Sequence, residues 1–320
     1  MPLQILPADA PSMGNNPSED ESRLVRPSRR EFLAALAAGG ASLALGRSAQ
    51  SAAAESPNGW YALVSDIHIA ADPSTRLRGE VMADNLRTVV SEILAAESSP
   101  RAVLFDGDLA LQQGRPDDYR TVVSLLEPLR KARLPIHLGL GNHDSRTNFR
   151  AVLQGVVPLE SQVVDKQAAT VDTDALRFVV LDSLDKVNST PGHLGAEQID
   201  WLAKSLDAKP ETPTLLFVHH NTWPLNMPGL TDTEELLKVI RPRRQVKGII
   251  YGHTHVWNVR QDDGLYLINL PAVAYSFAPK EPLGWCRFRP EPGGGQLELR
   301  CIGGNREAHG QRVKLRWREA

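Results

Sequence analysis

Five short polar segments of the sequence carry the side-chain types that bind divalent metal ions. They are Asp66-Ile67-His68, Asp106-Gly107-Asp108, Gly141-Asn142-His143-Asp144, His219-His220 and Gly252-His253-Thr254-His255. Carboxylate and amide oxygens with imidazoles, and without thiolates, suit hard to borderline ions such as iron, manganese, zinc or cobalt. The sequence therefore predicts a site for divalent metal ions, of an identity that the residue types alone leave open.

The spacing within these segments favours paired ligands. Side chains two residues apart on an extended segment point the same way, so Asp66 and His68 can act together, as can His253 and His255. A glycine stands beside the candidate ligand in three of the segments. Glycine lets the backbone turn tightly, so short side chains can reach a metal ion.

Each polar segment follows a short apolar run that is typical of a buried strand. These runs cover residues 60–65, 102–105, 135–140, 214–218 and 246–251. Helical spacing of apolar residues predicts helices between several of them, at 79–96, 117–132, 147–153, 195–206 and 232–240. Ligands of α/β sheets bind outside the carboxyl ends of the strands, so the five segments can converge on one site.

The overall pattern predicts an α/β protein with two mixed β-sheets packed together and flanked by helices. Alternating strands and helices come first, and strands joined by short turns interleave at 162–181 and follow from residue 256. Crossover connections bury both faces of a parallel sheet, which accounts for the continuous apolar runs. We expect a four-layer α-β-β-α sandwich over residues 55–320.

The five segments, in this order over roughly residues 60–275, resemble the calcineurin-like metallophosphoesterase superfamily. The resemblance implies a binuclear metal centre, with a metal-bridging hydroxide that attacks phosphorus. It implies that Asp108 bridges the two ions and that His143 is a catalytic residue beside them. Asp144 would orient His143 or cap the helix that follows. The remaining implied metal ligands are Asp66, His68 and His255 for the first ion, and Asn142, His219 and His253 for the second.

The nearest resemblance is to class III cyclic-nucleotide phosphodiesterases and glycerophosphodiesterases, through Gly-Asn-His-Asp, the His219-His220 pair, Met227-Pro228 and Gly-His-Thr-His. It implies a phosphoester hydrolase, most simply a phosphodiesterase, with a small phosphate ester as substrate. Two alternatives are a non-catalytic exported protein that binds metal or phosphate, and a nuclease. A formal net charge of -2 and the lack of basic clusters count against nucleic acid as a partner.

The N-terminal 54 residues predict an export segment rather than a folded domain. Residues 1–27 are polar, with no periodic apolar face, and are expected to be disordered. The following Ser28-Arg29-Arg30-Glu31-Phe32-Leu33, the apolar run to residue 45 and the alanines ending at Ala54 resemble a twin-arginine signal. The run is too short to span a bilayer. We expect recognition by the twin-arginine machinery, cleavage near Ala54, and a periplasmic or extracellular mature protein without a stable membrane span.

The sequence has two cysteines, Cys286 and Cys301, on either side of a Pro-Gly-rich turn. If that turn is centred on Gly293 and Gly294, the two cysteines lie opposite each other on an antiparallel pair, close enough for a disulfide. The alternative is two small buried side chains without a bond.

Overall fold

The computed structural model describes residues 59–159, 161–222 and 227–319. The predicted signal segment and its cleavage site lie outside the described residues. Most of the described strands form two six-stranded mixed sheets. The remaining two, β2 (Arg76–Leu77) and β3 (Glu80–Val81), form a small hairpin.

The first sheet has the strand order β14-β13-β12-β1-β4-β5. Its strands are β1 (Tyr61–Val64), β4 (Ala102–Phe105), β5 (Ile136–Leu138), β12 (Pro282–Glu291), β13 (Gly294–Gly304) and β14 (Arg312–Arg316). The strands β1, β4 and β5 are parallel, whereas β12, β13 and β14 pair antiparallel. The parallel half therefore has its carboxyl ends at one edge of the sheet.

The second sheet has the order β10-β11-β9-β8-β7-β6. Its strands are β6 (Ala169–Asp172), β7 (Arg177–Leu181), β8 (Thr214–Val218), β9 (Val246–Tyr251), β10 (Asn258–Asp262) and β11 (Leu265–Asn269). The four central strands run parallel, and an antiparallel strand stands at each edge.

Five helices of the described residues cover the outer faces of the two sheets. They are α1 (Met82–Leu94), α2 (Pro116–Lys131), α3 (Arg146–Leu153), α4 (Ala196–Asp207) and α5 (Thr233–Ile240). The first three pack on the first sheet and the other two on the second. The predicted four-layer α-β-β-α sandwich is thus confirmed. None of the helices among the described residues has the length and apolarity that a membrane crossing requires.

The strand β1 shows why its residues form a buried strand. All four of its side chains are buried. Ala62 and Val64 face the helices, whereas Tyr61 and Leu63 face the second sheet, as the two-residue period of a strand requires. Apolar side chains are therefore needed at every position of the strand, and the polar loop that begins at Ser65 and Asp66 follows it.

The β12–β13 hairpin differs from the arrangement considered for the cysteines. Glu291 pairs with Gly294, so the turn consists of Pro292 and Gly293. The observed turn lies one residue earlier in the chain than the turn centred on Gly293 and Gly294. Cys286 therefore lies opposite Leu299 and not Cys301. Both cysteines are buried and free. Residues diagonal to one another across a strand pair are too far apart for a disulfide.

Candidate metal centre

The structure brings all eight predicted site residues together at the carboxyl ends of parallel strands from both sheets. The loops after β1, β4 and β5 of the first sheet meet those after β8 and β9 of the second. Seven of the eight side chains are buried, with His143 partly exposed. The site residues are Asp66, His68, Asp108, Asn142, His143, His219, His253 and His255.

The backbone at these loops is strained rather than extended. Asp66 and His68 both have positive φ, at 53° and 43°, and Asp108, His253 and His255 do as well. The expectation that Asp66 and His68 lie on an extended segment is therefore wrong, because a left-handed conformation replaces it. Non-glycine residues adopt this conformation at a cost of about 1–3 kcal/mol each, and such strain clusters at functional sites. Here it directs side chains two residues apart toward a common point.

One group of candidate ligands consists of Asp66, His68 and His255. The Nε2 atoms of His68 and His255 are 3.1 Å apart. Asp66 Oδ1 lies 3.8 Å from His68 Nε2 and 3.4 Å from His255 Nε2. One ligand atom from each residue thus falls within 4.8 Å of the others, a spacing that can hold a metal ion.

A second group consists of Asp108, His219 and His253. One ligand atom from each of these residues also lies within 4.8 Å of the others. Asp108 Oδ2 lies 3.2 Å from His219 Nε2 and 3.7 Å from His68 Nε2. The Asp108 carboxylate therefore faces both groups of candidate ligands.

The histidine rings are oriented by acceptors behind them. His68 Nδ1 donates to the Leu111 carbonyl at 3.3 Å, and His255 Nδ1 donates to the Tyr275 carbonyl at 2.6 Å. Because a carbonyl only accepts, each ring carries its proton on Nδ1 and turns the Nε2 lone pair inward. This is the usual support of a metal-binding histidine.

Asp106 lies behind the His219 ring, with its Oδ2 3.4 Å from His219 Nδ1. Sequence reasoning gave Asp106 no role, because the Asp-Gly-Asp spacing does not tell which carboxylate faces the centre. Ser65 links the two acids: its hydroxyl donates to Asp66 at 2.6 Å and lies 3.4 Å from Asp106.

The electrostatics favour anionic carboxylates at Asp66 and Asp108 and neutral imidazoles at His68 and His253. At His219, burial is outweighed by Asp108 and Asp106, which raise the pKa of that ring above its usual range. Burial lowers the pKa of His68 and of His253 to about 4, so both rings keep a free lone pair at neutral pH. Burial opposes ionisation of Asp66, yet the neighbouring His255 holds its pKa below the usual range. Asp108 has a lowered pKa as well, since His219 outweighs its burial.

The residues present fit divalent metal ions. Asn142 Oδ1 and His253 Nε2 are buried and have no hydrogen-bond partner among the described residues. Buried polar atoms are nearly always satisfied, and a metal ion is the partner that both an amide oxygen and an imidazole nitrogen accept. Oxygen and nitrogen donors without a thiolate also match the predicted ligand chemistry.

His143 lies at the solvent side of the centre. Its backbone N–H donates to Asp108 Oδ1 at 2.8 Å, and its Nε2 is 4.0 Å from Asp108 Oδ2. Its Nδ1 donates to the Gln112 carbonyl at 3.1 Å. A side chain that is 24% exposed at this place can reach both the centre and a bound molecule.

Asp144 has neither of the roles that its sequence position suggested, namely orienting His143 or capping α3. Ser145 caps that helix, accepting from the Asn148 amide. The Asp144 carboxylate instead accepts from the backbone amides of Gly141 and Leu109, at 2.9 and 3.1 Å, and from a further amide and a tyrosine hydroxyl. It therefore ties the loop after β4 to the loop after β5.

Aromatic residues that sequence reasoning missed surround the first group of ligands. The Tyr275 ring stacks on His68 with centroids 5.0 Å apart, and Phe277 lies 4.4 Å from the His255 ring. They follow the last polar segment in the chain and form no motif with it. The neighbouring His220 is buried, and its Nδ1 lies 2.8 Å from Ser183 Oγ.

The chain matches known proteins over most of this fold. The family model described as calcineurin-like phosphoesterase matches residues 60–257. A probable cyclic nucleotide phosphodiesterase from Rhodococcus erythropolis is 32% identical over 226 residues, which are 65% of this chain and 68% of that protein. A 3′,5′-cyclic adenosine monophosphate phosphodiesterase CpdA from Pseudomonas aeruginosa is 29% identical, covering 68% of this chain and 76% of that protein.

Among solved structures, a dimetal phosphatase from Danio rerio superimposes with a TM-score of 0.65 at 17% identity, covering 82% of this chain and all of that one. This likeness concerns the fold. The activity class follows from the family match, because the matched residues include all five loops that form the candidate metal centre. The chain therefore belongs to the calcineurin-like phosphoesterase family and is a metal-dependent phosphoester hydrolase.

Proposed function

We propose that the protein is a phosphodiesterase that hydrolyses cyclic nucleotides at a centre of two divalent metal ions. The observation that carries the two-metal centre is the position of Asp108, whose carboxylate lies between two groups of candidate ligands. The nucleotide substrate is supported by the relatives from Rhodococcus erythropolis and Pseudomonas aeruginosa, both named as cyclic nucleotide phosphodiesterases.

In this proposal each of the two groups of residues would hold one ion, and the ions would supply activation of water and neutralisation of phosphoryl charge. The side chains assigned to the first ion are Asp66, His68, Asp108 and His255, and those assigned to the second are Asp108, Asn142, His219 and His253. The rings of His68 and His253 are suited to this because burial keeps them neutral.

His143 is proposed to hold a proton on Nε2 for the leaving oxygen of the substrate. Its Nδ1 is occupied by the Gln112 carbonyl, so the imidazole is fixed with Nε2 toward the centre. Partial exposure lets this nitrogen exchange its proton with solvent between turnovers. General acid catalysis of this kind contributes typically 10²–10⁴-fold to a rate.

The test is hydrolysis of 3′,5′-cyclic AMP and cyclic GMP by metal-loaded protein, followed by chromatography of the nucleotide product, beside a glycerophosphodiester and a phosphomonoester. Asp108→Asn should lower turnover by more than about 100-fold. Loss of a residue that only supports a metal ligand already lowers metal affinity or activity by about 10–100-fold. Asp84→Asn, on the exposed face of α1, is the control and should leave turnover unchanged. Metal bound tightly with no turnover of any ester would instead favour a binding protein.

We also propose that the enzyme acts after export, because a twin-arginine-like segment precedes the described residues. A protein exported folded can receive its metal ions before transport. Its substrate would then be a phosphodiester outside the cytoplasm.

A further inference from the structure

A cavity of about 410 Å³ lies beside the metal centre, at the β9-β11-β10 end of the second sheet. Its volume falls in the range of pockets that take small organic molecules. Most of its lining is apolar, and its polar groups are a few amides and hydroxyls and the guanidinium of Arg260. The residues that matter to the argument are Met227, Tyr251, Thr254, Asn258, Asn269 and Phe277.

The cavity adjoins the candidate ligands directly. Thr254, in its wall, stands between His253 and His255 in the chain. Phe277, also in its wall, has its ring 4.4 Å from the His255 ring. A phosphate held at the centre can therefore place one of its ester groups in the cavity.

Two asparagines occupy directly paired positions on neighbouring strands that line the cavity. Asn258 on β10 pairs directly with Asn269 on β11. The Asn258 side chain is exposed, whereas that of Asn269 is 1% exposed. Asn269 Nδ2 donates to Thr254 Oγ1 at 2.5 Å, but its Oδ1 has no hydrogen-bond partner among the described residues. A buried acceptor of this kind is normally satisfied.

The chemistry of the cavity fits a planar heteroaromatic ring with a polar edge. Phe277 is 47% exposed, which is unusual for a ring of that size, and supplies apolar contact. Two adjacent amides supply both donors and acceptors, which is how asparagine reads the edge of a base. A simple alkyl ester group would leave the buried Asn269 Oδ1 without a partner.

We propose that this cavity binds the nucleobase of the substrate, with the amides of Asn258 and Asn269 at the edge of the base and Phe277 against its apolar surface. The inference rests on the proposed function, because it supposes a nucleotide whose phosphate is at the metal centre. Asn258 and Asn269 are specificity-determining residues here, and they play no part in holding the metal ions.

The test compares the binding of adenosine 5′-monophosphate, ribose 5-phosphate and inorganic phosphate to metal-loaded protein by calorimetry. The nucleotide should bind at least about 10-fold more tightly than ribose 5-phosphate, since base contacts by aromatic and amide side chains are worth a factor of this order. Asn258→Leu should remove most of that preference and leave the affinity for inorganic phosphate unchanged.

Gln261→Leu is the matched control, because Gln261 is an exposed amide on the same strand whose paired residue, Tyr266, packs between the two sheets. It should keep the preference. A second variant, Val256→Trp, fills the cavity from its wall and should abolish the preference even if the loss in Asn258→Leu is small.

Equal affinity of the wild-type protein for adenosine 5′-monophosphate and ribose 5-phosphate would overturn the inference. So would a preference that survives both cavity variants. Turnover of cyclic nucleotides is measured separately, so a nucleotide preference without turnover would reject the proposed function and keep the base site. Turnover of cyclic nucleotides without a preference for the nucleotide over ribose 5-phosphate would reject the base site and keep the proposed function.

Discussion

Gly252 is a position where one added methyl group should disturb the metal centre. It connects β9 to His253, and a Cβ there would lie 2.4 Å from Asp66 Oδ2 and 2.0 Å from Ser65 Oγ. Real Cβ atoms essentially never come closer than 3.0 Å, so the Asp66 oxygen must move by about 0.6 Å. Metal–ligand distances hold within about 0.2 Å, so this shift exceeds what the site tolerates.

A rotation of Ser65 does not relieve the conflict. It would remove the hydroxyl from the added methyl group, but it would also break the 2.6 Å hydrogen bond that this hydroxyl donates to Asp66. Gly252 has no positive φ, so the effect of Gly252→Ala is steric and confined to its neighbours. We expect metal affinity at the Asp66 side to fall about 10- to 100-fold, the range found when the support of a ligand is lost.

The measurement is the metal content of purified Gly252→Ala after dialysis against metal-free buffer, with turnover followed as metal is added back. Gly303→Ala is the control, because a Cβ there meets its nearest atom, on Leu283, at an ordinary 3.4 Å. Turnover of Gly252→Ala should recover in part at high metal concentration. Metal content and turnover equal to those of Gly303→Ala would refute the reasoning.

Further outcomes are expected from other parts of the molecule. His143→Ala should keep its metal content but lose about 10²–10⁴-fold in turnover; loss of metal would make it a ligand instead. Burial raises the pKa of both thiols in the β12–β13 hairpin, so a disulfide reagent should label neither in native protein and both in urea. Burial lowers the pKa of His137 in the folded protein. Below about pH 6.5 the imidazole is therefore protonated more readily in the unfolded chain than in the folded one, which lowers the free energy of unfolding. His137→Gln should lessen that loss in urea titrations at pH 7.5 and 5.5, and an equal loss would contradict it. Replacing Arg29 and Arg30 by lysine should retain the protein in the cytoplasm, and unchanged export would exclude a twin-arginine route.

The positions of the candidate ligands could be predicted because each lies within a few residues of a buried strand. The polar segment after β1, for example, starts where the apolar run ends, and the end of a parallel strand is a fixed place in the fold. What could not be predicted is how the chain turns there. The left-handed conformations of Asp66 and His68 follow from contacts with loops from other strands, such as the amide of His68 donating to the Asp108 carbonyl.

Roles that depend on distant neighbours were assigned less well. Asp144 comes just before α3, so its position in the sequence favoured a role as the helix cap. Ser145 is one residue nearer to the helix and caps it instead. The Asp144 carboxylate is instead taken up by backbone amides more than thirty residues away in the chain. Asp106 was left without a role for the same reason, because its partner His219 comes from the other sheet.

The proposed base site shows how far local rules reach. Asp263 and Gly264 both have positive φ, at 49° and 72°, as a two-residue hairpin turn of the Asp-Gly kind requires. Such a turn pairs the residues on either side of it symmetrically, so the sequence alone already places Asn258 opposite Asn269. It does not reveal that this pair adjoins the metal centre, because that depends on β11 lying parallel to β9, whose end carries His253 and His255. Each candidate ligand is positioned by the single strand that it follows, whereas the substrate cavity depends on the order of several strands in the sheet. For this reason the reaction class could be predicted from the sequence, but the substrate could not.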